Sequence, residues 1–320
     1  MPGLISRAWN KIRPGKKKPS AAELNVPPKV PHPLQRDHRL LAVLHLGQAA
    51  ATAALAATLS QTYKSTIYFK DDELFTVPVT ALIPAFFGIS GLGHVWAGFR
   101  ANLYRRMARF KCPERWGEYA LSASLMSVII ALLCRIDEVV LLAGIMVLQM
   151  VVMAWGYVIE RDLAKIARSQ EKYTPEMAAE DGKPSELFWI ASVAELLIWG
   201  TTLIYYADAV VGSDNSVPWF VHAVVATLLV CYTAYPIFMF WYQRKLVNTK
   251  LDPRSHDSLA SDSNEVKEQW LASTGIVDAH TPLVEVYEKA ERGYMILSFL
   301  AKTALGWIVF SGAAMNDKNN

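Results

Sequence analysis

A single amine interrupts an apolar helix near the end of the chain: Ser298-Phe299-Leu300-Ala301-Lys302-Thr303-Ala304-Leu305-Gly306-Trp307-Ile308-Val309-Phe310. An ammonium inside a bilayer costs about 2.5–3.5 kcal/mol even on the lenient insertion scale, so an ionisable residue there points to function. A lysine condensed with an aldehyde becomes a Schiff base, carries an apolar ligand, and needs one carboxylate partner. The competing reading is a lysine that snorkels to a helix end. Against it, apolar residues run on for about two turns beyond Lys302.

The matching carboxylate is Glu118. It sits about one turn inside the third apolar run, in Arg115-Trp116-Gly117-Glu118-Tyr119, and shares a helix face with Ser122 and Met126 through the four-residue spacing. Runs three and seven cross the bilayer in the same direction, so Glu118 and a lysine with a four-carbon stem approach from one side. Each buried charge then depends on the other, because desolvation penalises both. The alternative for Glu118 is an interfacial acid paired with Arg115.

Other polar residues fall near the same level. His45 lies six residues beyond Arg39 and His94 six before Arg100, so both are roughly 9 Å from one boundary. Either alone reads as a hydrogen-bonded core histidine; with Glu118 they form a cluster able to accept a proton. Glu160 would be its rim, or simply a solvated carboxylate at a helix end. Glu195, roughly 15 Å deep in the fifth run, is a lone buried acid, satisfied by a hydroxyl such as Thr201 or Tyr232 or part of a proton path with His222 and Asp208. Aromatic walls for a long conjugated ligand would come from Trp155, Trp199, Tyr232, Tyr235, Phe238 and Phe299, with Ser298 beside them, although aromatic residues in such helices also serve packing and interfacial belts. Pro236 should bend the sixth helix.

These residues need a bundle to hold them. Apolar residues make up 52% of the chain, and they are gathered into seven runs near the 20 residues that a bilayer core requires: about 40–60, 77–99, 116–134, 139–159, 187–207, 217–241 and 294–314. The expected fold is an all-α seven-transmembrane-helix bundle over residues 39–315, with a basic tail at 1–38, a long polar loop at 243–282, and a short tail at 316–320. The seventh helix should extend upstream to about Val284, with Pro282 marking its start. The first run is too long for a signal peptide and carries His45 and Gln48, so it reads as an uncleaved helix. Cys112, Cys134 and Cys231 have no metal or redox spacing, and no metal site is expected.

Orientation follows from the basic residues. The side that holds the N-terminus also carries Arg100, Arg105, Arg106, Arg109, Lys111 and Arg115, then Arg161, Lys165, Arg168, Lys172 and Lys183, then Arg244, Lys245, Lys250, Arg254 and Lys267. The other side has only Lys64, Lys70, Arg135 and Lys318 among several acids. The positive-inside rule therefore puts the N-terminus in the cytoplasm and the C-terminus outside.

Seven helices, the lysine string Leu297-Ser298-Phe299-Leu300-Ala301-Lys302-Thr303-Ala304-Leu305-Gly306-Trp307 and the string Arg115-Trp116-Gly117-Glu118-Tyr119-Ala120-Leu121-Ser122-Ala123-Ser124-Leu125-Met126 resemble a heliorhodopsin. The cytoplasmic N-terminus, inverted relative to other rhodopsins, agrees with that family, as do His45 and His94. The resemblance implies all-trans retinal on Lys302, Glu118 as sole counterion, photoisomerisation, a slow photocycle and a homodimer. Animal-type receptors fit less well, since their helix-three Glu-Arg-Tyr and helix-seven Asn-Pro-x-x-Tyr motifs are absent. Glu195 departs from the family pattern, where a small residue is expected, and Tyr235-Pro236 is closer to ordinary microbial rhodopsins.

A directional proton pump needs a donor further along the third helix, but the Glu118 face continues to Ile129. The leading expectation is a photosensor, partnered by the lipid bilayer and a cytoplasmic signalling protein of unknown identity. The alternative is a light-gated passive proton or ion conductance through Glu195 and the cluster of His45, His94 and Glu160. An enzyme or transporter unrelated to retinal lacks its polar substrate array or broken-helix repeat, and nothing points to nucleic acid.

Overall fold

The computed structural model describes residues 33–58, 63–99, 110–168, 175–212, 217–251 and 281–317. The helices are α1 (Pro33–Thr58), α2 (Val79–Phe99), α3 (Pro113–Leu133), α4 (Val139–Arg168), the short α5 (Pro175–Asp181), α6 (Glu186–Val211), α7 (Trp219–Leu251) and α8 (Thr281–Asp317). Seven of them, all but α5, are long and apolar enough to cross a membrane. In a bilayer only a helix that satisfies its own backbone is stable, which is why each apolar run becomes one. The chain is thus a seven-helix membrane bundle.

Neighbours in sequence pack side by side: α1 on α2, α2 on α3, α3 on α4, α4 on α6, and α7 on α8, while α8 also touches α1 and α2. Small residues let α2 sit at the centre of one half. A Cβ on Gly91 would strike Leu46 of α1, and one on Gly93 would lie 2.6 Å from Glu118 Cγ of α3. Two apolar clusters fill the bundle. One surrounds Phe86, Phe87, Ile129 and Phe220, and the other surrounds Phe110, Trp116, Tyr287 and Tyr294.

Several boundaries differ from the sequence expectation. The N-terminal tail does not extend to residue 38, because α1 starts at Pro33 and His38 is already 3% exposed inside the bundle. The polar loop does not begin at Gln243, because α7 runs on to Leu251 and the Gln243 amide donates to the carbonyls of Asp181 and Lys183, both at 2.7 Å. Helix α8 starts at Thr281, next to the expected Pro282, and continues to Asp317, into the expected tail. Residues 1–32, 252–280 and 318–320, and with them most of the basic tail and of the long loop, lie outside the described residues.

An antiparallel hairpin was not anticipated. Strands β1 (Lys64–Phe69) and β2 (Asp72–Pro78) join α1 to α2, turning at Lys70, whose φ is 55°. Ile67 is buried beneath it, and the Tyr68 amide donates to Asp137 O at 2.9 Å, tying the hairpin to the α3–α4 connection.

Candidate functional site

Lys302 and Glu118 meet inside the bundle. The ammonium donates to Glu118 Oε1 at 2.8 Å and to Ser298 Oγ, one turn earlier on α8, at 2.7 Å. Lys302 is 2% exposed and Glu118 9%. Ser90 of α2 donates to the same carboxylate oxygen at 2.6 Å. The amine also lies 5.0 Å from the centre of the Tyr119 ring, whose hydroxyl donates to Tyr294 O at 2.9 Å. Snorkelling is therefore not how Lys302 is accommodated. Nor does Glu118 pair with Arg115, which is engaged elsewhere.

Lys302 opens onto a cavity of about 110 Å³ between α3, α4, α6, α7 and α8. Of the expected lining residues, Ser122, Met126, Tyr232, Tyr235 and Ser298 do face it. Four expected walls do not. Trp155 is off the lining. Trp199 stands one layer back, 5.4 Å from the Tyr232 ring. Phe238 packs on Tyr294 and Trp241, and Phe299 of α8 points the other way, against His45 at 5.4 Å. Trp116, Tyr119, Met153, Phe188, Met239 and Tyr294, not expected from the sequence, also line the space. Trp116 fits because Gly156 of α4 leaves room for its ring. Ser122 presents a buried hydroxyl with no partner among the described residues.

The polar side of the site is larger than expected. His45 and His94 do come together, with parallel rings 5.5 Å apart, but His94 hydrogen-bonds His38, at 2.9 Å between their Nδ1 atoms. Glu160 is not a solvated helix end: it is 1% exposed. It accepts from Arg115 at 2.6 Å, from the Trp116 indole at 2.7 Å and from the Cys112 amide at 3.1 Å. Arg115 also pairs with Glu291 of α8, so one guanidinium bridges two buried carboxylates. Such a pair survives without water only because its hydrogen bonds are supplied by protein. Burial pushes the Cys112 thiol up to about 12, which keeps it neutral beside this cluster.

Glu195 lies on the far wall of the cavity and is satisfied by neither Thr201 nor Tyr232. Its Oε2 accepts from Gln149 Nε2 at 3.1 Å, and Gln149 Oε1 in turn accepts from Ser127 at 3.0 Å. Glu195 Oε1 has no partner among the described residues. His222, exposed, is bonded to Tyr206 at 2.5 Å rather than directed toward Glu195.

The arrangement can hold a covalently attached apolar ligand on an amine, stabilise a proton there, and pass that proton into a buried polar cluster. The model of the heliorhodopsin family matches residues 34–250. A search of curated proteins finds no match.

Proposed function

The chain belongs to the heliorhodopsin family, and from that premise we propose that it is a light sensor in which Lys302 carries retinal as a protonated Schiff base and Glu118 is the counterion. Family membership makes it a retinal-binding, light-responsive protein, and its helices make it a multi-pass integral membrane protein. The observation that carries the proposal is the buried Lys302–Glu118 contact of 2.8 Å at the wall of an otherwise apolar cavity.

All-trans retinal supplies visible absorption and a light-driven isomerisation when bound. The residues present fit it. Trp116, Tyr119, Tyr235, Met126 and Met239 give flat and adaptable apolar contacts. The Ser122 hydroxyl, with no partner among the described residues, faces the same space. Glu118 Oε1 and Ser298 Oγ hold the proton at Lys302 Nζ, and Ser90 fixes the carboxylate that would receive it. Lys302, Glu118 and Ser298 are all buried, and a low local dielectric strengthens each of these interactions. Helix α3 offers no second carboxylate inward of Glu118, and Ile129 is fully buried in the core. That favours a proton that returns over one that is pumped.

The excess of Lys and Arg on the N-terminal side supports a cytoplasmic N-terminus and an extracellular C-terminus. A homodimer and a slow photocycle belong to the same reading. The test is the visible spectrum of the full chain regenerated with all-trans retinal. A band that is lost in Lys302→Ala supports the proposal; no band in the wild type overturns it.

One observation favours a second reading, a light-gated passive proton conductance. Glu195 lines the cavity as a carboxylate deep in the bundle, bonded to Gln149, and an ionisable residue at such depth points to function. Under voltage clamp a passive path gives a light-evoked current that reverses near the proton equilibrium potential, and Glu195→Gln should abolish it while keeping the band. A sensor alone passes no current at any voltage.

A further inference from the structure

Resting on the reading just given, we propose that His38 is the terminal proton-holding residue of the site: the proton that leaves Lys302 Nζ passes through Glu118 to His94 and comes to rest on His38, with His45 a stacking neighbour outside the path.

Three observations place it there. The His38 and His94 Nδ1 atoms are 2.9 Å apart in the buried interior. Two like nitrogens share a hydrogen bond only if one ring carries the proton on Nδ1 and the other does not, so the two neutral rings are opposite tautomers. This is a prepared proton-transfer pair. His45, by contrast, makes no hydrogen bond to His38 or His94 and meets His94 only through its ring face. Second, a small cavity of about 20 Å³ is lined jointly by Glu118, His94, His38, Arg115 and Glu291, room for about one water molecule. It joins the carboxylate to the histidine pair and does not include His45. Third, His38 is five residues into α1 and His45 seven further on, so His38 is about 10 Å closer to the helix end that the basic residues mark as cytoplasmic.

The transfer balances. Glu118 Oε1 takes the proton from Lys302 Nζ, and water in the small cavity carries it to His94 Nε2, which has no other partner. His94 gives its Nδ1 proton to His38 Nδ1, so His94 ends neutral and His38 ends as imidazolium. Reversal of the same steps restores the starting state. The charged groups near His38 are its chain neighbour Asp37 and, from α3, Arg115 and Glu118. Glu291 from α8 lines the shared cavity, and Asp37 is itself paired with Arg292 of α8 at 2.9 Å.

Two measurements test the assignment. Solid-state nitrogen NMR of the full chain labelled at histidine, kept in the dark, should show a coupling between two histidine Nδ1 nuclei, present in wild type and His45→Phe and absent in His38→Phe. No coupling in the wild type overturns the pair. Flash spectroscopy of the regenerated protein should then show the fraction of molecules that release the Lys302 Nζ proton falling by about tenfold, equivalent to removing one good acceptor, in both His38→Phe and His38→Gln, with His45→Phe near wild type. Because glutamine can keep a hydrogen bond to His94 but cannot hold the proton, wild-type behaviour in His38→Gln reduces His38 to a structural role and overturns the proposal. So does a loss confined to His45→Phe. Absence of any visible band in wild type would instead overturn the retinal reading, and the dark NMR result would still decide whether the pair exists.

Discussion

Two acids sit in opposite conditions: Glu195 lines the large cavity, whereas Glu118 stands behind Lys302 against the small one. Glu118 is closed in by α2, α3 and α8: its Oε1 receives Lys302 and Ser90, and its stem rests on the bare backbone of Gly93. Glu195 of α6 accepts from the Gln149 amide of α4 and adjoins the Trp199 indole. The first is held as a charge by a neighbouring charge; the second is held by a neutral network of Gln149, Ser127 and Tyr232. A membrane protein can therefore bury two identical side chains a few turns apart and give them different work, because what surrounds a carboxylate decides whether ionisation is cheap.

The same substitution at both positions is the strongest way to break this comparison. Glu118→Gln leaves a buried cation without its partner, a loss of about 3–5 kcal/mol. The visible band should change position, and its disappearance on alkaline titration should move down by about 2 pH units or more. Glu195→Gln removes no ion pair, so the same titration should move by less than about half a unit. Equal shifts would show that the two acids share the counterion role.

A smaller change tests whether Glu118 is held by shape as well as by charge. Gly93→Val places carbon where Glu118 Cγ now lies and should cost about 1–3 kcal/mol through overpacking. Lower thermal stability of the regenerated protein, together with a displaced band, is the expected result; a wild-type melting temperature and band would mean that α2 yields without cost. An effect smaller than that of Glu118→Gln is expected from Ser90→Ala, which removes a hydrogen bond to a charged group worth about 1.5 kcal/mol. Its alkaline transition should shift by up to about one unit, upward and so opposite to Glu118→Gln, because the lost bond matters most to the carboxylate left unpaired when the amine gives up its proton. No shift would mean that Ser90 plays no part in holding the carboxylate.

Lys302 and Glu118 were legible because a charge inside an apolar run is a local anomaly that needs no knowledge of neighbours. The seven helices were legible for the same reason. What sequence could not supply was the rotation of one helix against another. Phe299 adjoins Ser298, yet it faces the histidines while Ser298 faces the cavity. Ser90 and Glu291 sit on faces whose partners are set by packing alone. Glu160 was misread because Arg161 and Asp162 follow it and suggest a wet helix end. A signal was present in the small residues Gly156, Ala164 and Ala167, whose spacing continues a buried stripe through Glu160. The hairpin escaped because strands of six and seven residues vanish in a window wide enough to find membrane helices. His38 was hidden by its place just before Arg39, at the edge of what hydropathy counts as membrane.

The hairpin gives the bundle a mechanical asymmetry. Through Tyr68 and Asp137 it pins the α1–α2 connection to the α3–α4 connection at one end, and Glu118 lies fifteen residues from the end of α3 at Leu133, about 22 Å along the helix axis. At its other end α3 is held by the Arg115 pairs to Glu160 and Glu291, so any tilt about the hairpin is worked against those contacts. A tilt of about 3° there carries Glu118 sideways by about 1 Å, enough to open a 2.8 Å contact beyond hydrogen-bonding reach while the pinned end stays in place.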